Sequence, residues 1–209
     1  MIEQLQAAIE GGDDVALHAL LAEQPSLANA TIHWGEGGKN GSVPLHYVSD
    51  MQFEGPLAAE RALPLVEILL AAGASINAPH ERHGDTPLIA AASLYAEAIG
   101  KRLIQAGADV HARGLFGATA LHWAALCGLE DLAAALIDAG ADVELRDAEH
   151  EGTPADWAYH GWSGGGPRDR HRNQPRVVAL LAAAGACIDS VNRDDLGPDW
   201  LTALRSAMA

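Results

Sequence analysis

One block of this chain occurs four times, at spacings of 34, 33 and 45 residues. The run Leu103-Ile104-Gln105-Ala106-Gly107-Ala108-Asp109-Val110 recurs as Leu136-Ile137-Asp138-Ala139-Gly140-Ala141-Asp142-Val143. An earlier copy runs from Leu69 to Ile76 and a later one from Leu181 to Ile188. A second block precedes each copy: Val43-Pro44-Leu45-His46, Thr86-Pro87-Leu88-Ile89, Thr119-Ala120-Leu121-His122 and Thr153-Pro154-Ala155-Asp156. Thr86 to Thr119 is 33 residues, Thr119 to Thr153 is 34, Gly73 to Gly107 is 34 and Gly107 to Gly140 is 33. A unit this short cannot bury its apolar face alone, so its neighbours must bury it by stacking.

Each part of the unit has a physical reading. Thr before Pro caps a helix, because the hydroxyl accepts from free N–H groups and Pro sits where its missing N–H costs nothing. The alanine pairs Ala91-Ala92 and Ala124-Ala125 keep that helix thin enough to stack closely. A second helix carries an apolar pair such as Leu136-Ile137, and the glycine after it suits the left-handed residue that ends a helix. Leu121, Leu136 and Ile137 are therefore expected in the core.

The pattern resembles the ankyrin-repeat family, whose repeat has this period and a Thr-Pro-Leu-His-x-Ala signature. The segment 117–146 matches best, with Thr119, Leu121, His122, Ala124, Ala125, Gly128 and Gly140 in place. The resemblance implies an all-α fold, an ankyrin-repeat solenoid of about five stacked helix-turn-helix repeats with capping ends. A single domain over 1–209 is expected. It divides into an N-terminal capping repeat 1–30, repeats at 31–78, 79–112, 113–146 and 147–189, and a C-terminal capping helix 190–209. In that helix Trp200, Leu204 and Met208 fall at i, i+4 and i+8, a stripe expected to seal the open end of the core.

Two repeats depart from the pattern. From the Pro position to the glycine, the third and fourth repeats span 20 residues (87 to 107, 120 to 140). The second spans 29 (44 to 73) and the fifth 31 (154 to 185). Insertions of 9 and 11 residues are thus expected as loops between paired helices, around 52–64 and 162–175. The second carries Gly164-Gly165-Gly166 beside Arg168, Arg170 and Arg172, an anion cradle or, more simply, a solvated, protease-sensitive loop.

Charge and composition narrow the function. The formal net charge is −15, and 167–176 alone is locally +3, leaving −18 on the rest. Such a surface repels phosphate backbones, so no nucleic-acid partner is expected. The longest apolar run, Leu63 to Ala72, is broken by Pro64 and Glu67 and falls short of a membrane span, so no membrane partner is expected either. The N-terminus lacks the features of a secretory signal, and two cysteines, Cys127 and Cys187, build no disulfide framework. A cytoplasmic location follows as the expectation. High alanine and 11 arginines against 2 lysines point to a GC-rich bacterial source.

Several patterns invite chemistry without sustaining it. Gly161-Trp162-Ser163-Gly164-Gly165 spells a nucleophile elbow, but that motif needs a strand before it and a helix after it, and here a repeat helix precedes and Gly166-Pro167 follows. His80 and His83 with Glu81 and Asp85 supply two imidazoles, fewer ligands than a metal centre needs. His46 and His122 hold the family's structural histidine position. No catalytic residue, metal or cofactor is expected.

In the family, partners bind the concave face formed by turn tips and first helices. The resemblance implies that the exposed slot after the signature histidine is Tyr47, Ala90, Trp123 and Trp157 here. Slots near the helix end include Met51, Leu126 and His160, and turn tips bring Trp34, Phe116, Glu149 and His150. Five of the ten aromatic residues (Trp34, Tyr47, Phe116, Trp123, Trp157) fall on this surface. The expected function is therefore a protein-protein interaction module holding a protein or peptide in the groove, anchored by Trp34, Tyr47, Met51, Phe116, Trp123, Leu126, Trp157 and His160. The alternative is a small-molecule binder or enzyme whose pocket, roofed by the insertions, uses His160, Asp156 and the arginines.

Overall fold

The computed structural model describes residues 1–165 and 173–209, so Arg168, Arg170, Arg172 and the centre of the second insertion lie outside the described residues. The chain divides into two compact units, Met1–Asp109 and Val110–Ala209. The first contains α1 (Ile2–Glu10), α2 (Asp14–Glu23), β1 (Ile32–Trp34), β2 (Asn40–Ser42), α3 (Pro44–Glu54), α4 (Ala59–Ala71), α5 (Pro87–Ser93) and α6 (Glu97–Gln105). The second contains α7 (Ala120–Cys127), α8 (Glu130–Asp138), α9 (Pro154–His160), α10 (Gln174–Ala183) and α11 (Pro198–Met208).

Within each unit, first helices stack on first helices and second on second. In the first unit α3 packs against α1 and α5, and α4 against α2 and α6. In the second, α7 packs on α9, α8 on α10, and α10 also meets α9 and α11. Each unit thus shows the stacked helix pairs implied by the repeat. The one sheet among the described residues is the short antiparallel hairpin β1–β2, with Trp34 opposite Asn40.

The caps work as the sequence requires. Thr86 Oγ1 accepts from Ile89 N at 3.4 Å, and Thr153 Oγ1 from Asp156 N at 3.3 Å. Ala91, Ala92, Ala124 and Ala125 are wholly buried, as thin helices in close contact must be. Leu121 and Leu136 are also fully buried. Ile137 is only half-buried, because Leu132, Ala133 and Leu136 share the packed side of α8 and the next residue turns away from it.

Two further expectations change. The extra residues of the second repeat do not form a loop over 52–64. They lengthen both helices, to 11 and 13 residues in α3 and α4 against 7 and 9 in α5 and α6. Gly55, at φ 103, ends α3, and Pro64 is accommodated inside α4. At the C-terminus Trp200 and Leu204 are buried, with Trp200 Nε1 donating to Val191 O at 2.6 Å. Met208, the last residue of α11, is 49% exposed, and Leu201 takes its place in the seal. No helix of the described residues is long and apolar enough to cross a membrane.

Leu136 is central to α8, so Leu136→Ala is expected to cost about 2–5 kcal/mol in urea denaturation. An unchanged midpoint would place the core elsewhere.

Candidate functional site

The second unit carries a cavity of about 740 Å³ bounded by the aromatic rings of two adjoining repeats. Its lining is Phe116, Trp123, Leu126, His150, Glu151, Gly152, Asp156, Trp157 and His160. α7 supplies Trp123 and Leu126, α9 supplies Asp156, Trp157 and His160, and the turn tips before them supply the rest. Trp123 and Trp157 meet edge to face with centroids 5.1 Å apart, and Phe116 lies 6.3 and 6.4 Å from them. Such a cluster is the geometry aromatic rings prefer.

Backbone contact brings α9 this close to α7. A side chain on Gly161 would meet Leu126 O at 2.0 Å, so only glycine admits the approach. Gln174 bridges from α10, its Nε2 donating to Leu126 O at 3.2 Å.

The turn tip at 147–152 is organised by one carboxylate. Asp147 Oδ1 accepts from Glu149 N at 2.9 Å and His150 N at 2.6 Å. Its Oδ2 accepts from Gly152 N and from Trp157 Nε1, each at 2.9 Å. Burial alone would raise the carboxyl's pKa; the hydrogen bonds from His150, Trp157, Glu149 and Gly152 outweigh it and bring it down to about 2. His122 sits beneath, with Nδ1 3.2 Å from Thr119 N and 2.9 Å from its Oγ1, and Nε2 3.3 Å from Gly152 O. Burial pushes its pKa below the ordinary imidazole value. Thr119 N and Gly152 O are both satisfied by a ring with one N–H, which makes His122 structural, as the signature implies.

Strain is concentrated here. Three non-glycine residues among those described have positive φ, and two of them, Phe116 (φ 62) and Glu151 (φ 54), line the cavity. Two residues before the capping Thr, the third and fourth repeats place Gly84 (φ 73) and Gly117 (φ 67); the fifth places Glu151. A side chain in that conformation costs on the order of 1 kcal/mol or more. Trp123 Nε1 is also buried without a hydrogen-bond partner among the described residues.

The sequence-derived groove is only partly assembled. Phe116, Trp123, Leu126, Trp157 and His160 come together around the cavity. Tyr47 is not an exposed anchor: it is fully buried, donates from its hydroxyl to Glu10 Oε1 at 2.6 Å, and stacks edge-on with Trp34 at 4.8 Å. Met51 is buried as well, as is Ala90. Tyr47 is covered by α1, from which Gln6 Nε2 also donates to its hydroxyl at 3.3 Å. Trp34 stays half-buried on the hairpin, its Nε1 donating to Glu54 Oε1 at 3.2 Å. Trp157 is 8% exposed and Trp123 half-buried, so both are walls of the cavity rather than free anchors. Asp147 and Glu151 were missed by sequence reasoning; Glu151 had a readable signal, a charged residue in a glycine position.

The enzymatic patterns resolve locally. Ser163 lies on a wide helical turn continuing α9, with its hydroxyl donating to His160 O at 3.0 Å, so no strand-to-helix elbow is formed. His80 stacks between His46 and His83 at 5.2 and 5.3 Å, and His46 Nδ1 lies 3.0 Å from Asp50 Oδ2. Among the described residues no three His, Cys, Asp or Glu side chains are grouped to hold a metal ion.

Two tests follow. Gly161→Ala should force α9 off α7 and lower stability by about 1–3 kcal/mol; an unshifted melting temperature would show that the contact yields freely. For Asp147, the folded pKa of about 2 lies below the ordinary 3.8, so its stabilisation is complete above about pH 4 and disappears as pH falls towards 2. The urea midpoint advantage of the wild type over Asp147→Asn should therefore shrink between pH 5 and pH 2, and a constant difference would contradict it.

Comparison with known proteins agrees with the architecture. Residues 57–147 match the ankyrin-repeat family in three copies. The chain is 33% identical over 151 residues, 71% of its length, to neurogenic locus notch homolog protein 1 of Xenopus tropicalis. It is 44% identical over 68 residues, 32% of its length, to the protein of that name in Xenopus laevis. It spans only 6% and 3% of those two relatives. With the repeat period and the stacked helix pairs, the family match identifies residues 57–147 as ankyrin repeats.

Proposed function

We propose that the chain is a protein-interaction module that seats a segment of a partner protein in the cavity of its second unit. The observation that carries this is the wall of Phe116, Trp123 and Trp157, with Leu126 below and polar His150, Glu151, Asp156 and His160 around it. Binding energy concentrates at such aromatic clusters bordered by polar groups. The partner-binding residues are then Phe116, Trp123, Leu126, Trp157 and His160, while Tyr47 and Met51 support the first unit from within and Trp34 lies apart on its hairpin. The −15 charge disfavours a nucleic-acid partner, and the bacterial, cytoplasmic setting read from composition belongs to the same proposal. A small-molecule ligand is the second reading, favoured by a volume within the usual range for such sites.

Selection of a displayed random-peptide library against the protein tests this, with Trp123→Leu as counter-target because leucine keeps apolar packing on Trp157. Selected peptides should bind the variant roughly 2 kcal/mol more weakly, about thirtyfold. Val15→Ser, at a residue 75% exposed in the first unit, should leave binding unchanged. If no selected peptide depends on Trp123, the reading fails.

A further inference from the structure

Resting on the interaction-module reading, we infer that the cavity takes a cationic side chain, arginine or an alkylated lysine, from a basic segment of the partner. The first ground is ring geometry. The centroids of Phe116, Trp123 and Trp157 lie 5.1 to 6.4 Å from one another with interplanar angles of 32° to 79°, so the three form one aromatic wall. A cation seated over an open ring face of that wall lies within the roughly 6 Å reach of its attraction. An aromatic face attracts a cation most strongly where water is thin, and here Trp157 is buried and Trp123 half-buried.

The second ground is charge. Glu151 and Asp156 line the cavity, and no lysine or arginine does among the described residues. Asp156 directs Oδ2 to Thr153 N at 2.9 Å and Thr153 Oγ1 at 2.8 Å, which leaves Oδ1 for a ligand. Asp147 donates nothing to the cavity but pins Trp157 through Nε1, and a carboxylate on the indole N–H adds electron density to that ring. The whole chain, at −15, steers a basic segment towards itself.

The third ground is the strain at Glu151. The position before Gly152 is glycine in the two preceding repeats, and a glutamate there carries a backbone penalty that no side-chain hydrogen bond of its own offsets among the described residues. A carboxylate held at the cavity in spite of that penalty fits a role in recognising positive charge. The hydrophobic alternative, an aliphatic or phenyl group, uses the rings but gives Glu151 nothing to do.

The test uses the full chain and seven-residue Gly-Ala host peptides with one central residue, titrated by tryptophan fluorescence at pH 7.5. Arginine or trimethyl-lysine should bind at least tenfold tighter than citrulline or norleucine, and high salt should narrow the gap. Glu151→Gln should weaken the cationic peptides several-fold and leave norleucine unchanged. Glu151→Gly should give the same loss while keeping or raising the melting temperature, which separates recognition from folding. Norleucine or phenylalanine binding as tightly as arginine would overturn the cation while leaving a Trp123-dependent peptide site intact. Free tetramethylammonium binding as tightly as the peptides would overturn the partner-segment source. Loss of Trp123-dependence across the selected library would instead overturn the interaction reading beneath both.

Discussion

Neighbouring first helices must approach until their backbones nearly touch, and most of the second unit follows from that constraint. Ala124, Ala125, Ala155 and Ala158 are fully buried, and Gly161 places its Cα against Leu126 O. Larger residues at these points would open the stack and remove the dispersion contacts that each repeat lacks on its own. Close approach also sets the turn tips side by side. Ala148 N donates to Phe116 O at 2.8 Å, and a side chain on Gly117 would meet Ala148 Cβ at 2.6 Å. The cavity is therefore a consequence of the stacking: the rings project where two tips and two helix starts are forced together.

Tips in this register need their own hydrogen bonds, and the repeats solve the problem with different chemistry at one position. Six residues before the capping residue stand His80, Arg113 and Asp147. Arg113 donates from Nε to Gly117 O at 2.8 Å, whereas Asp147 accepts from three backbone N–H groups and one indole. An acceptor at this point does what a donor cannot, since it fixes the orientation of Trp157 as well as the path of the chain. That is why one residue couples the fold of the fifth repeat to the shape of the cavity.

The fold was legible because stacking leaves periodic marks. Thr-Pro, the alanine pairs and the terminal glycines repeat at fixed spacing, and each reports a local requirement that no distant residue can relax. Insertions were less legible: nine extra residues in the second repeat looked like a loop, yet helix-forming residues such as Glu60, Arg61 and Ala62 let them extend α4. Ile137 and Met208 failed because a periodic stripe predicts the packed side of a helix but not where its neighbours stop. Aligning the repeats shows Glu151 as a charge in a glycine position, but its strain became legible only with the φ of Gly84 and Gly117, since a sequence shows the glycine and not the conformation that demands it.

The aromatic slot after the signature histidine shows how one position acquires different fates from its neighbours. Tyr47, Trp123 and Trp157 occupy it in three repeats. Tyr47 is closed in by α1, with Gln6 and Glu10 at its hydroxyl, and burial next to that carboxylate raises its pKa, so it stays a neutral core residue. Trp157 is closed in by the tip of its own repeat through Asp147, and by His122 edge-on at 5.4 Å. Trp123 has Phe116 and Trp157 on one flank and the cavity on the other, which leaves it half-buried. Exposure at this slot is thus decided by what the preceding element and the adjacent tip deliver, and the slot itself specifies only that the side chain points between repeats. A family pattern can name the residues that face a groove, but their neighbours decide which rings stay uncovered, and of these three it is Trp123, at the cavity of the second unit, that does.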